Sequence, residues 1–384
     1  MKSSRLLTYC LAIICPCAFY LRTYDSISIK ELALFAFGIP AFLAWYSEGG
    51  GVLNYRILPY FLIGIVSFIL SDYKALGSMF LMQQGMIFAI CLMVTGFNQL
   101  EIENLRKCFI ATAIICIFYG IVQLMKADPF RWAGVYGARI FSAFGNPNFY
   151  ADFLLFAFPI ILCQHLKKRN ELFVSLFVAG IACLFFTGAK SAWLAFIIEG
   201  IAFAGVYALF FTDIPKRSIY ITTTALAIIS ILGLLQVYRM ASNSRSSALI
   251  RSSIWRSTIN MIADKPLLGW GPGSFRAVFP KYRETVLAHL HGVHNTETRN
   301  AENELIEITA ETGIIGLIGF IFVLWGVCAK AIKRMARAQS LTDLWAFVGL
   351  IGMMAHNICD VSMRFLPSGL LFWLLIGVML RQDD

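Results

Sequence analysis

The chain runs to 384 residues, of which 59% are hydrophobic and 14% charged, with a formal net charge of +10. A soluble domain carries roughly 45–50% apolar and about 25% charged residues, so this composition excludes a single water-soluble domain. The positive charge does not point to nucleic acid either, because the basic residues are spread over many polar segments and not gathered on one soluble face.

The apolar residues come in repeated runs of about 17–23, the length that carries a helix across a bilayer. Backbone polar groups in lipid must be bonded within their own segment, so such runs are helices. The short alternating segments of a transmembrane barrel are absent from the sequence. The first run, near Leu6 to Tyr20 with Lys2 and Arg5 at its head, is read as a retained helix, since no small-x-small cleavage site follows it. In chain order the expected spans lie near 5–22, 27–46, 55–71, 75–97, 107–125, 146–166, 171–187, 190–211, 218–239, 312–332, 341–361 and 364–381. The expected class is an all-α membrane protein of about twelve transmembrane helices with one long, partly helical loop. The chain divides into N-terminal helices over 1–239, the loop over 240–311, and C-terminal helices over 312–384.

Basic residues in short loops set the orientation. With the N-terminus inside, the cytoplasmic segments collect fifteen Lys and Arg against eight in the short outer loops, Lys30 among the eight. The remaining nine fall in the long loop, whose length exempts it from the charge rule. Both termini are expected inside and the long loop outside. The ten cysteines sit in or at the ends of apolar runs and read as small packing residues.

Two outer segments concentrate polar chemistry. The first, 126–153, offers Arg131, Arg139, Asn146, Asn148 and Asp152 at the head of the sixth span. The second is the long loop. Its stretch from Ile250 to Asp264 reads as an amphipathic helix, with Ile250, Ile254, Ile259 and Met261 expected to face lipid. Pro266 ends that helix, and the turn Gly269-Trp270-Gly271-Pro272-Gly273 follows. The end of the loop holds His289, His291, His294, Glu302, Glu304, Glu307 and Glu311. Guanidinium stays charged and presents a planar fork to phosphate oxygens, which makes Arg139, Arg251 and Arg256 candidate ligands of a diphosphate; the plainer alternative is anchoring in lipid headgroups. Glu302 and the histidines are candidates for acid–base work, with a solvated loop or a helix-terminal charge as the alternatives. Within the spans Glu199, His356 and Asp360 are ionisable, and His356 and Asp360, four apart, are expected on one helix face.

Three stretches resemble the O-antigen ligase and polymerase family. They are GARIFSAFGNPNFYADFL, RSSIWRSTINMIADKPLLGWGPGSF and AENELIEITAETGIIGL, in that order and together with the span layout. The resemblance implies a GT-C-like membrane glycosyltransferase, inverting and independent of metal or other cofactor. Such an enzyme takes a glycan from undecaprenyl diphosphate at the outer, periplasmic face of the bacterial cytoplasmic membrane and passes it to a lipid or glycan acceptor. In a ligase the acceptor is a sugar of the lipid A core; in a polymerase it is another carrier-linked repeat. Relatives commonly have His-Asn where this chain has Glu302-Asn303, so the implied catalytic base is Glu302 or the displaced His294, which precedes Asn295. Arg139, Arg251 and Arg256 are the implied diphosphate ligands, with Arg251 also counted as catalytic. A transporter and a membrane scaffold are the competing classes. A transporter tends to show inverted repeats and polar groups at the midplane, whereas the polar richness here lies outside the spans.

Overall fold

The computed structural model describes residues 2–21, 27–50, 56–132, 136–213, 244–284 and 298–382. Among these residues the chain is helical, with no strand. The helices are α1 (Ser3–Cys17), α2 (Ile27–Ser47), α3 (Leu58–Leu70), α4 (Lys74–Thr95), α5 (Gln99–Leu124), α6 (Pro147–Lys168), α7 (Glu171–Thr187) and α8 (Lys190–Phe211). After them come α9 (Ser244–Asp264), the short α10 (Phe275–Val278), α11 (Glu304–Ala338), α12 (Leu341–Asn357) and α13 (Ser368–Leu380). Six of them, α2, α4, α5, α6, α8 and α11, are long and apolar enough to cross a membrane, and α1, α3, α7 and α13 are shorter apolar helices. The chain is a multi-pass membrane protein on that ground. The span expected at 218–239 lies outside the described residues.

The helix starts follow local chemistry. Asn98 and Glu101 form a reciprocal capping box at the head of α5, at 2.9 and 3.0 Å. Asn146 caps α6, accepting from Asn148 N–H at 2.8 Å, with Pro147 in the first helical position. Helix α6 is the centre of the bundle, buried over most of its length, and α13 is buried end to end. A helix that is apolar all round belongs inside such a bundle.

Charged side chains collect at the two ends of the bundle. At one end Arg5 binds Glu101 at 3.0 Å, and Arg334 and Arg381 both bind Asp343 at 2.8 Å. These belong to the segments expected inside. At the other end lie Arg139, Asp360, Arg251, Glu302 and Arg364. Lys30 departs from expectation. It is wholly buried on α2, and its ammonium donates to the carbonyls of Cys15, Pro16 and Ala18 at 3.3, 2.8 and 2.6 Å. The carbonyls at the end of α1 have no intrahelical partners, and Lys30 supplies them.

Beneath α9 sits a second, smaller core of Ile254, Met261, Phe275, Val278, Phe279, Ala301 and Ala310. Ile254 and Met261 therefore pack into protein and not lipid, contrary to the sequence expectation, while Ile259 is exposed. An apolar helix face looks the same in sequence whether lipid or a loop covers it.

The long loop is tied to the bundle at a break in α11. Gly313 has φ +70 and ψ −177, so the helix is interrupted there. The interruption frees carbonyls near Glu311, and the Pro–Gly turn uses them: Trp270 N–H donates to Ala310 O at 3.1 Å and Gly271 N–H to Glu311 O at 2.8 Å. In return Ile314 N–H donates to Pro266 O at 2.8 Å. Ser67 and Ser71 on α3 clamp the turn from the far side, donating to Leu268 O and Trp270 O at 2.6 Å each. A Cβ at Gly313 would lie 2.0 Å from Leu267 O, which is why glycine is required there.

Candidate functional site

Arg139 precedes α6 and is half-buried. Its Nε donates to Thr187 O at 2.5 Å and its Nη2 to Asn148 Oδ1 at 3.0 Å. Gly188, with φ +64, leaves room for it, since a Cβ there would come within 3.2 Å of Arg139 Nε. Asn148 Nδ2 donates in turn to Asp360 Oδ2 at 2.7 Å. Asp360 Oδ1 accepts from Val361 N–H at 2.8 Å and Ser362 Oγ at 3.0 Å. Arg139 is thus held by a carboxylate that sits one residue away through an amide.

His356 and Asp360 do not form the expected pair on one helix face, because α12 ends at Asn357 and Asp360 lies beyond it. His356 is wholly buried and its Nδ1 lies 3.2 Å from Asp152 Oδ1 on α6. Asn357 Nδ2 donates to the same oxygen at 3.1 Å. Glu199 on α8 is also buried, and its carboxylate lies so close to Gly352 that a Cβ there would meet Glu199 Cδ at 2.8 Å. His356 Nδ1 also lies 3.4 Å from Ser362 Oγ, which joins it to the Arg139–Asp360 network.

Arg251 on α9 faces Glu302, with Nη2 and Oε2 3.6 Å apart. The two side chains are 32% and 39% exposed, so this is an open ion pair of small worth, and the guanidinium can turn to another anion at little cost. Glu302 has φ +54, a left-handed conformation that a side-chain-bearing residue seldom adopts. Its neighbours hold it there. Asn303 caps α11 by accepting from Ile306 N–H at 3.0 Å and donates to Ile358 O at 2.7 Å. Glu307 accepts from Ala301 N–H at 2.6 Å and Asn300 Nδ2 at 3.1 Å. Burial raises the Glu302 carboxyl above its usual range, the nearby Asp360 charge adds to that, and Arg251 opposes it.

Arg256 is placed apart from these groups. At 3.6 residues per turn, positions five apart on a helix point about 140° away from each other. Its side chain is 63% exposed and pairs with Glu284 at 3.5 Å. His294 lies outside the described residues, with His289 and His291. The sequence reading also missed a buried charge cluster. Arg364 Nε lies 3.1 Å from Glu304 and 3.4 Å from Glu307, and its Nη1 lies 2.5 Å from Glu311. The i, i+3, i+7 spacing of the three glutamates, which puts them on one helix face, was the available signal; Arg364 is too far along the chain to be matched to them by spacing. Among the described residues no group of three His, Cys, Asp or Glu is arranged to hold a metal ion.

The break in α11, the Pro–Gly turn docked in it, and the Arg251–Glu302 pair at its head all fall in one stretch. Residues 174–321 match the O-antigen ligase family. That stretch takes in the second and third of the three motifs, and the first lies before it. A protein of Rickettsia conorii (strain ATCC VR-613 / Malish 7), provisionally named a polysaccharide ligase, is 25% identical over 235 residues. The match covers 58% of this chain and 54% of that relative, so the chain spans about half the relative's length. The matched stretch takes in Arg251, Arg256 and Glu302, whereas Arg139, Asn148, Asp152, His356 and Asp360 lie outside it. Those residues reach the head of the ligase-like stretch only through the fold.

Proposed function

We propose that this protein is a glycosyltransferase that moves a glycan from undecaprenyl diphosphate to an acceptor sugar, of the lipid A-core type, at the outer face of the cytoplasmic membrane. The observation that carries this reading is the approach of Arg139, on the loop before α6, and the Arg251–Glu302 pair, on the long loop, to the same carboxylate, Asp360. Asn148 bridges Arg139 to Asp360, and Asn303, next to Glu302, donates to the carbonyl of Ile358, two residues before Asp360.

In the proposed reaction the acceptor oxygen bonds to the anomeric carbon of the donor as the bond from that carbon to the diphosphate oxygen breaks. Glu302 takes the acceptor's proton, and the leaving diphosphate keeps the bonding electrons. Stabilising the charge that develops on the leaving group is usually the largest catalytic contribution. Arg139 and Arg251 supply it, and their fixed positive charge takes the place of a divalent metal. Direct displacement inverts the anomeric centre. Arg256, turned to Glu284, is left out of this set. His294 is the alternative base.

The test is transfer by the purified full chain from undecaprenyl diphosphate-linked glycan to lipid A-core in the presence of a chelator. Glycan on the core lipid supports the ligase reading, and growth of the glycan on its carrier replaces it with a polymerase. Loss of transfer in His294→Ala with retention in Glu302→Gln moves the base to His294. Absence of transfer to either acceptor overturns the reading.

A further inference from the structure

A cavity of about 180 Å³ lies beside the proposed reaction site, between the heads of α2 and α11, the middle of α4, the Pro–Gly turn and the Arg299–Asn300 segment. Three observations say what it is built to take. Its charges balance: Arg276, Arg299 and Arg364 face Glu31, Glu307 and Glu311. Arg364 is already engaged by buried glutamates, so no surplus positive charge is left for a phosphate. Neutral hydroxyls, which both donate and accept, suit such a wall. Next, the amides of Gln83 and Asn300 line the cavity together with the rings of Phe80, Phe275 and Phe365, the mixture of apolar faces and a few fixed polar groups that binds small organic ligands. The volume is below the roughly 300–1,000 Å³ of drug-sized sites, on the scale of one sugar ring.

Position connects the cavity to the chemistry. Glu307, one of its walls, also holds the turn that carries Glu302, through Asn300 Nδ2 and Ala301 N–H. Phe365, another wall, packs on Phe149 with ring centroids 5.0 Å apart, and Phe149 adjoins Asn148, the partner of Arg139. Walls of the cavity therefore touch the immediate chain neighbours of the proposed base and of Asn148, the partner of the proposed diphosphate ligand.

We propose that this cavity is the acceptor subsite and holds one neutral sugar ring of the acceptor glycan beside Glu302. The proposal rests on the glycosyl-transfer reading for its role and on the cavity alone for its ligand class, and the two are tested separately. Binding is read by saturation-transfer NMR on the full chain in detergent, with methyl glycosides of glucose, galactose and N-acetylglucosamine as probes and inorganic diphosphate as competitor. At least one glycoside should receive saturation, Gln83→Trp, which fills the cavity, should abolish it, and diphosphate should leave it in place. No saturation for any glycoside, unchanged saturation in Gln83→Trp, or displacement by diphosphate overturns the proposal. The milder Gln83→Ala, checked for an unchanged unfolding midpoint, should raise the acceptor KM roughly tenfold, the scale of one lost hydrogen bond, with donor KM and kcat unchanged. Transfer with an unaltered acceptor KM in Gln83→Ala rejects the cavity and leaves the transfer reading intact. Glycoside binding without any transfer rejects the transfer reading and leaves the sugar site.

Discussion

Three side chains carry the proposed chemistry, and each answers to a different measurement. Arg139→Ala and Arg251→Ala should each lower transfer by about 10²–10³-fold, the usual loss when one charge-stabilising donor is removed, while membrane insertion is unchanged. Near-normal turnover in both would reject the diphosphate assignment. Glu302 bears on pH. Its carboxyl is raised by burial first and by Asp360 second, with Arg251 pulling the other way. A base must be deprotonated to act, so transfer should be full above that raised range and fall as pH drops through it. Asp360→Asn removes one raising charge, so the acidic limb of the pH–rate profile should move to lower pH. A limb that stays in place or moves up would show that another group limits the reaction. Arg139, Arg251 and Glu302 were legible in the sequence as residue types outside the expected spans. Their partners were not, because Asn148 and Asp360 are 212 positions apart and nothing in the spacing joins them.

Among the elements, α11 and the turn docked at its break decide whether the long loop is held in place. Gly313→Ala puts a methyl group 2.0 Å from Leu267 O at a residue with φ +70. A cost of about 1–3 kcal/mol or more is expected from the backbone conformation alone, seen as a lowered unfolding midpoint and easier proteolysis near Glu284. The glycine-rich turn was legible in the sequence. The break it docks into did not, because ETGIIGL also reads as an uninterrupted helix entering the membrane. The same holds for Arg364. Removing it would leave Glu304, Glu307 and Glu311 buried together, and loss of one partner from a buried ion pair costs about 3–5 kcal/mol. Arg364→Ala should therefore fail to reach wild-type yield in the membrane, whereas Arg256→Ala, at an exposed pair, should be indistinguishable from wild type in unfolding midpoint.

Over the whole molecule the two polar ends imply a sidedness that can be measured. An epitope inserted after Glu284 should be reached by antibody from the outer face of spheroplasts, and one after Arg169 only after permeabilisation. The reverse pattern would put the long loop in the cytoplasm and remove the proposed donor from reach. The sequence by itself determined the membrane class and most helix positions, because a bilayer demands long apolar runs whatever they pack against. It also marked the stretches that resemble the O-antigen ligase family, since these are contiguous. Only the tertiary structure decided which apolar face of α9 meets protein, that Lys30 caps α1, that Arg364 pairs with Glu304, Glu307 and Glu311, and that Asn148 joins Arg139 to Asp360. Those are contacts between distant parts of the chain, and distance along a sequence carries no record of which buried charges must find one another.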